Sequence, residues 1–279
     1  MLPNNPLTQY FRQPAIYIRL PSQGKFYPPG TLNMPPNGEI PVLPMTSVDE
    51  ITYRTPDALF NGAATVNVIR SCVPAIRDPW AMPGVDVDAV LVGIRIASYG
   101  HSMPITTTCP ECKELDDVSV DLRAVNDSIA ISNYELPVVI GDLEFYLTPL
   151  TYHSVNYNNQ VQLEQQQKIN AISSQDETDK VKLEKLKEIM ASVNDLTIKT
   201  VARSIGAIKS PAVMVTEHDF IVDYLRNCDS KTFNQLRDHV IQQREVSNIK
   251  PLNLTCSSCS HMYKQPFTLD LASFFGNNS

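Results

Sequence analysis

No uninterrupted apolar run in these 279 residues approaches the ~20 needed to carry a helix across a bilayer, which argues against a membrane-spanning chain. Basic residues are also in short supply: 23 Lys and Arg stand against 30 Asp and Glu, a formal charge of −7. That balance argues against a nonspecific nucleic-acid binder, because neutralising phosphates needs a clustered Lys/Arg surface. Glycine is scarce at 10 residues against 21 prolines, so stiff, extended connections are predicted, above all before residue 60. Catalytic signatures are missing too. His101, His153, His218, His239 and His261 are dispersed, with none in a His-x-x-x-His or His-Glu-x-x-His pattern, and there is no Gly-x-Ser-x-Gly elbow, phosphate-cradling loop with Lys, or dinucleotide fingerprint. Neither an enzyme nor a small-molecule substrate is expected, while a hydrophobic content of 43% suffices for one large core or two ordinary ones.

What the chain does have is two short cysteine pairs, far apart in sequence and flanked alike. Ile105 to Thr108 precedes Cys109-Pro110-Glu111-Cys112 and Val118 to Leu122 follows it; Leu254-Thr255 precedes Cys256-Ser257-Ser258-Cys259 and Phe267 to Leu271 follows it. Each copy reads as strand, tight turn, strand. Four thiolates on two such knuckles, Cys109, Cys112, Cys256 and Cys259, suit a structural zinc ion, which takes sulfur at roughly 2.3 Å in a closed tetrahedral site. Such a site leaves no open position for water or substrate, so the metal would hold the fold rather than catalyse. A redox pair would open a helix after a strand, and no N-terminal charged, apolar and cleavage-site sequence points to an oxidising compartment and a disulfide framework. Cys72 and Cys228 read as buried small apolar groups. His261 reads as an exposed residue or an outer partner of the second knuckle, His218 as part of a capping turn, and Asp116 and Asp117 as turn residues.

Along the chain the pattern is interleaved. Residues 1–46 read as an extended arm with strands at Ala15–Leu20 and Gly38–Val42, and residues 47–100 as helical. The helical signals are Ser47-Val48-Asp49-Glu50 with capping-box spacing, Thr55-Pro56-Asp57 as a second cap, a run over Ala63–Val73, and Val85–Tyr99 ended by Gly100. Val87, Val90, Leu91, Ile94 and Ala97 fall on one face of that last helix. Residues 101–150 read as a β segment carrying the first knuckle, with a hairpin at Gly141-Asp142. Residues 151–250 read as a helical insertion: a Gln/Asn-rich helix over 151–172, a second over 179–205 with Leu183, Leu186, Met190 and Val193 in the 3-4-3 spacing of a narrow seam, then helices after Thr216 and from Ser230 to Glu245. That pair is either a self-packed hairpin or an arm for another subunit. Residues 251–279 complete the zinc ribbon. The fold class is α+β, a discontinuous four-cysteine zinc ribbon with β hairpins and inserted helices.

Leu20-Pro21-Ser22-Gln23-Gly24-Lys25-Phe26-Tyr27-Pro28, then Pro44-Met45-Thr46-Ser47-Val48-Asp49-Glu50, then Asp86 to Gly100 ending in Ile-Arg-Ile-Ala-Ser-Tyr-Gly, then Cys109-Pro110-Glu111-Cys112 form an ordered set. Over about residues 15–122 it resembles the baseplate hub and hub-assembly proteins of T4-like contractile-tailed phages. The resemblance implies a hub subunit or an assembly factor that works by binding other baseplate hub proteins, located in the host cytoplasm during assembly and, if incorporated, in the virion tail. It carries no catalytic residues. The Leu20–Tyr27 turn, with Phe26 and Tyr27, and the seam at Leu186 and Met190 are the candidate partner surfaces; alternatively Phe26 and Tyr27 cover the chain's own core. A zinc-ribbon nucleic-acid or transcription accessory protein is the alternative by fold analogy, and the acidic balance opposes it.

Overall fold

The computed structural model describes residues 5–53, 62–131, 133–174, 179–267 and 269. The chain mixes helix and strand in two compact units, one of residues 1–130 and 248–279, the other of residues 131–247. The division therefore falls at 130/131 and 247/248, and the strands of 138–147, grouped by sequence with the first knuckle, sit with the inserted helices.

In the discontinuous unit, β1 (Ile16–Ile18) pairs antiparallel with β2 (Ile40–Val42), and the proline-rich stretch between them forms turns and extended chain. Helix α1 (Ser47–Tyr53) starts one residue earlier in its capping box than the spacing suggested. Thr46 Oγ1 accepts the Asp49 N–H at 3.2 Å, and the Asp49 carboxylate accepts the Thr46 N–H at 2.8 Å. The Thr55-Pro56-Asp57 cap lies outside the described residues. Helix α2 (Ala63–Cys72) follows, then α3 (Gly84–Tyr99), closed by Gly100 at φ 85.

Helix α3 is the core of this unit. The predicted face of Val87, Val90, Leu91 and Ile94 is buried, but so are Asp86, Ala89, Val92 and Arg95, because strands, α2 and α4 surround the helix. Gly93 lets β1 approach: a Cβ there would lie 3.0 Å from Ile18 Cγ2. Two polar clusters fasten loops to this frame. The Asp86 carboxylate accepts the Ser22 N–H (2.8 Å), the Ser22 hydroxyl and the Tyr27 hydroxyl (3.0 Å). The Arg12 guanidinium donates to the carbonyls of Pro44 and Ser71, the Ser71 hydroxyl (2.7 Å) and Asp49 (3.2 Å), tying the arm to α1 and α2.

Strands β3 (Ser102–Thr108) and β4 (Leu115–Asp121) form a hairpin, followed by α4 (Leu122–Ser128), which Asp121 caps by accepting the Arg123 N–H at 2.9 Å. Asp116 and Asp117 lie inside β4 and not in the turn, since the ladder continues to Thr108↔Leu115.

The second unit is built on an antiparallel sheet of four strands, β5 (Val138–Ile140), β6 (Leu143–Leu147), β7 (Ile205–Lys209) and β8 (Met214–Val215). The Gly141-Asp142 hairpin is present, with Ile140 opposite Leu143. The last two strands correct the all-helical reading of 151–250. Helical periodicity carried α6 through Ile205, but it ends at Arg203 and the alternation of Ile205, Ala207 and the neighbouring Ile208 enters the sheet. Helices α5 (Tyr152–Ser174) and α6 (Asp179–Arg203) pack together as a hairpin, and α7 (His218–Asn227) and α8 (Ser230–Val246, capped by Asp229) complete the unit. Phe145, Leu147, Ile221, Leu225 and Leu236 form its buried centre.

Last, β9 (Leu252–Thr255) and β10 (Met262–Gln265) form a hairpin in the discontinuous unit. The returning strand thus starts earlier than the expected Phe267–Leu271, most of which lies outside the described residues.

Candidate metal centre

Each cysteine pair sits in the turn of a hairpin, and the two turns share one backbone design. In the first, the Lys113 N–H donates to the Cys109 carbonyl (3.0 Å) and the Cys109 N–H to the Glu114 carbonyl (3.0 Å). In the second, Ser260 N–H donates to the Cys256 carbonyl (3.0 Å) and Cys256 N–H to the His261 carbonyl (2.9 Å). Lys113 and Ser260 both adopt left-handed backbone, at φ 63 and 59. The chain so reverses tightly enough to aim both sulfurs of a pair at one point.

The points coincide. All four sulfurs lie within 4.8 Å of one another, with Cys109 Sγ 3.7 Å from Cys259 Sγ and Cys112 Sγ 3.6 Å from Cys256 Sγ. Four sulfurs at roughly 2.3 Å around a tetrahedral zinc stand about 3.8 Å apart, so the cluster has the size this ion requires. The donor chemistry fits as well: soft, ionisable thiols with no carboxylate or imidazole among the four. Backbone N–H groups of Cys259 and Ser258 aim at Cys256 and hold its thiol down to about 7. Cys112, although the Glu114 N–H lowers it, is pushed up to about 12 by desolvation and the neighbouring sulfurs. Opposite directions within one cluster are what crowded thiols produce, since four adjacent thiolates need a cation to offset their repulsion. Cys109, Cys256 and Tyr263 are buried together, with Leu254 packed against them.

Among the described residues, two side-chain links besides the sulfurs cross between the hairpins. Asp116 of β4 accepts the Ser257 N–H and the Ser257 hydroxyl, both at 2.9 Å. Tyr263 of β10 shares a 2.7 Å hydrogen bond with the Thr107 hydroxyl of β3. Among the described strands no backbone ladder joins the two hairpins, so these two links and packing around the four sulfurs hold them together.

A family model described as T4 bacteriophage base plate protein matches residues 32–276. The chain belongs to that family. The match includes both knuckles and runs through the inserted helices, which the ordered words of residues 15–122 did not reach. No curated protein and no solved structure matches the chain. As a phage baseplate protein it is associated with the virion tail and with other phage proteins, and none of the described helices is long and apolar enough to cross a membrane.

The remaining candidate residues of this baseplate protein are placed as follows. Cys72 is buried at the end of α2, its thiol pushed up to about 12 by burial and by the Asp49 charge, and Cys228 closes α7; neither joins the cluster. His261 is half-buried and its ring stacks on Tyr263 with centroids 6.4 Å apart, while His218 is exposed at the first position of α7. Tyr27 is engaged inward by Asp86; Phe26 beside it is half-buried with φ 68. On α6 the predicted seam divides: Leu183, Met190 and Val193 are exposed, Leu186 is half-buried, and Ile189 faces α5 instead. Asp116, Ser257, Thr107 and Tyr263 escaped sequence reasoning. Position 116 is recognisable only once β4 is known to begin at Leu115, which turns Asp116 inward.

Proposed function

We propose that this baseplate protein works at the hub of the tail baseplate, as an incorporated subunit or as an assembly factor, through protein–protein contact and without catalysis. The observation that carries the reading is the family match over residues 32–276, which spans both units. The ordered resemblance of residues 15–122 to hub and hub-assembly proteins narrows it to the hub. In this reading Cys109, Cys112, Cys256 and Cys259 hold one structural zinc, whose closed four-sulfur shell stabilises the discontinuous unit and offers no site to a substrate.

The partner in this proposal is another hub protein, and the surface it meets includes the apolar stripe of α6. Leu183, Met190 and Val193 are exposed there beside Lys182 and Lys187, an apolar line with basic flanks in an acidic chain. Phe26 is a second contact, whereas Tyr27 serves the fold through Asp86. Pull-down from phage-infected cells with the native chain and with Leu183→Glu/Met190→Glu, both checked for folding and zinc content, should recover baseplate hub proteins with the first and at least tenfold less with the second, the effect of roughly 1.4 kcal/mol or more at an interface. Equal recovery by both forms places the contact elsewhere, and recovery of nucleic acid without tail proteins overturns the reading. Mass spectrometry of purified virions beside infected-cell lysate separates a subunit, present in both, from an assembly factor, present in the lysate alone.

A further inference from the structure

The two knuckles match in backbone, and one of the positions at which their residues differ changes the turn's hydrogen bonding. After the leading cysteine stands Pro110 in the first turn and Ser257 in the second. Proline has no N–H and its φ is fixed near −65°, so the first turn is stiff by covalent structure and leaves no donor unsatisfied there. Ser257 has both a free N–H and a wider range of φ. Its N–H and its hydroxyl each need an acceptor, and both find one in Asp116, whose two carboxylate oxygens take them at 2.9 Å. Asp116 is buried, yet it stands on the other hairpin, more than a hundred residues earlier in the chain. The position matching Asp116 across the two hairpins is Tyr263: Asp116 pairs with Thr107 in one ladder and Tyr263 with Leu254 in the other. Tyr263, facing a proline turn that needs no acceptor, reaches Thr107 instead.

We infer that Asp116 is a positioning residue for the metal centre: it holds the Cys256–Cys259 turn in ligand geometry, doing from the opposite hairpin what Pro110 does for the Cys109–Cys112 turn. The inference rests on the zinc reading of the four cysteines. Holding Ser257 fixes the turn whose following N–H groups, those of Ser258 and Cys259, aim at Cys256. An outer partner of this kind acts on ligand orientation, and its loss is felt in metal retention more than in ligand count. Electrostatics works the other way, since a carboxylate beside four thiolates adds like charge. The two effects predict opposite signs.

The test uses the full chain loaded with zinc, and release is followed with a chromogenic chelator. Asp116→Ala should release zinc roughly tenfold faster or more, while still binding one ion per chain and giving the cobalt(II) tetrathiolate spectrum. Asp116→Asn, which keeps one acceptor oxygen, should fall between. Amide exchange at Ser257 should quicken in the same order. Asp117→Ala is the control, because Asp117 accepts from Thr106 at 2.7 Å on the exposed side of β4. Adding Ser257→Pro to Asp116→Ala should restore slow release, since the proline replaces the lost acceptor with a stiff turn. Zinc release from Asp116→Ala at or below the native rate, or no recovery with the proline, overturns the positioning role. A native chain that takes up neither zinc nor cobalt overturns the zinc reading itself, and the inference with it.

Discussion

At the scale of single residues, the cysteines and Asp86 carry the sharpest consequences. A structural zinc bound by four thiolates can contribute on the order of 10 kcal/mol to folding. Cys256→Ser should therefore lose bound zinc and lower the thermal midpoint, read by metal content and calorimetry on the same sample; full zinc retention would sink the four-ligand assignment. Asp86 is different in kind. Its carboxyl is pushed up from 3.8 to about 6 by burial, against the lowering by Ser22 and Tyr27. Between those values the folded chain binds more proton than the unfolded one, so this group's contribution to stability is fully present below the unfolded value and is lost as pH rises through about 6. Asp86→Asn does not titrate. The urea midpoint of the native chain relative to Asp86→Asn should fall as pH rises from about 4 to about 6.5 and level off above it, and a relative midpoint that rises over that window would mean that the three donors outweigh burial.

At the scale of elements, the α5–α6 pair shows what periodicity can and cannot settle. The 3-4-3 spacing of Leu183, Leu186, Met190 and Val193 identified a helix with an apolar line. The face that meets α5 is nevertheless the adjoining one, with Ile189 and Ser192, and α5 answers with Gln165 and Ile172. Gln165 donates to the Ser192 hydroxyl at 3.2 Å within that contact. A seam so polar contributes little hydrophobic stabilisation per turn, and an apolar line left outside it is available to another chain. Replacing residues 158–194 with a short linker should leave one zinc per chain and the cobalt spectrum unchanged, because every cysteine ligand and crossing link belongs to the other unit. Joint loss of metal and solubility would show that the pair is part of what holds the chain together.

At the scale of the whole molecule, the discontinuous unit is closed by its last hairpin, which no ladder joins to β3–β4 among the described strands. Metal removal should act locally. Chelation is expected to raise amide exchange throughout β9 and β10 by orders of magnitude, while the amides around Phe145 and Leu236 in the other unit keep their protection. Uniform loss of protection in both units would instead make the metal a determinant of the entire fold.

The sequence alone determined the class and the four candidate ligands. The Cys-x-x-Cys turns between apolar strands, the capping signals and Gly100 depend only on near neighbours, and their physics is local. The ordered words of residues 15–122 likewise pointed to the baseplate family before any geometry did. Tertiary structure decided what depends on distant chain. The strands β7 and β8 are too short to show in a helical context and exist because β6 offers β7 a ladder and β7 in turn offers one to β8. Asp86 and Tyr27 could not be read as partners across the chain, so the sequence left open whether Tyr27 met another protein or covered the chain's own core. Asp116 looked like a turn residue until the register of β4 turned it inward toward Ser257. Each of these rests on a hydrogen bond or packing contact between residues far apart in sequence, and only folding brings such groups within reach.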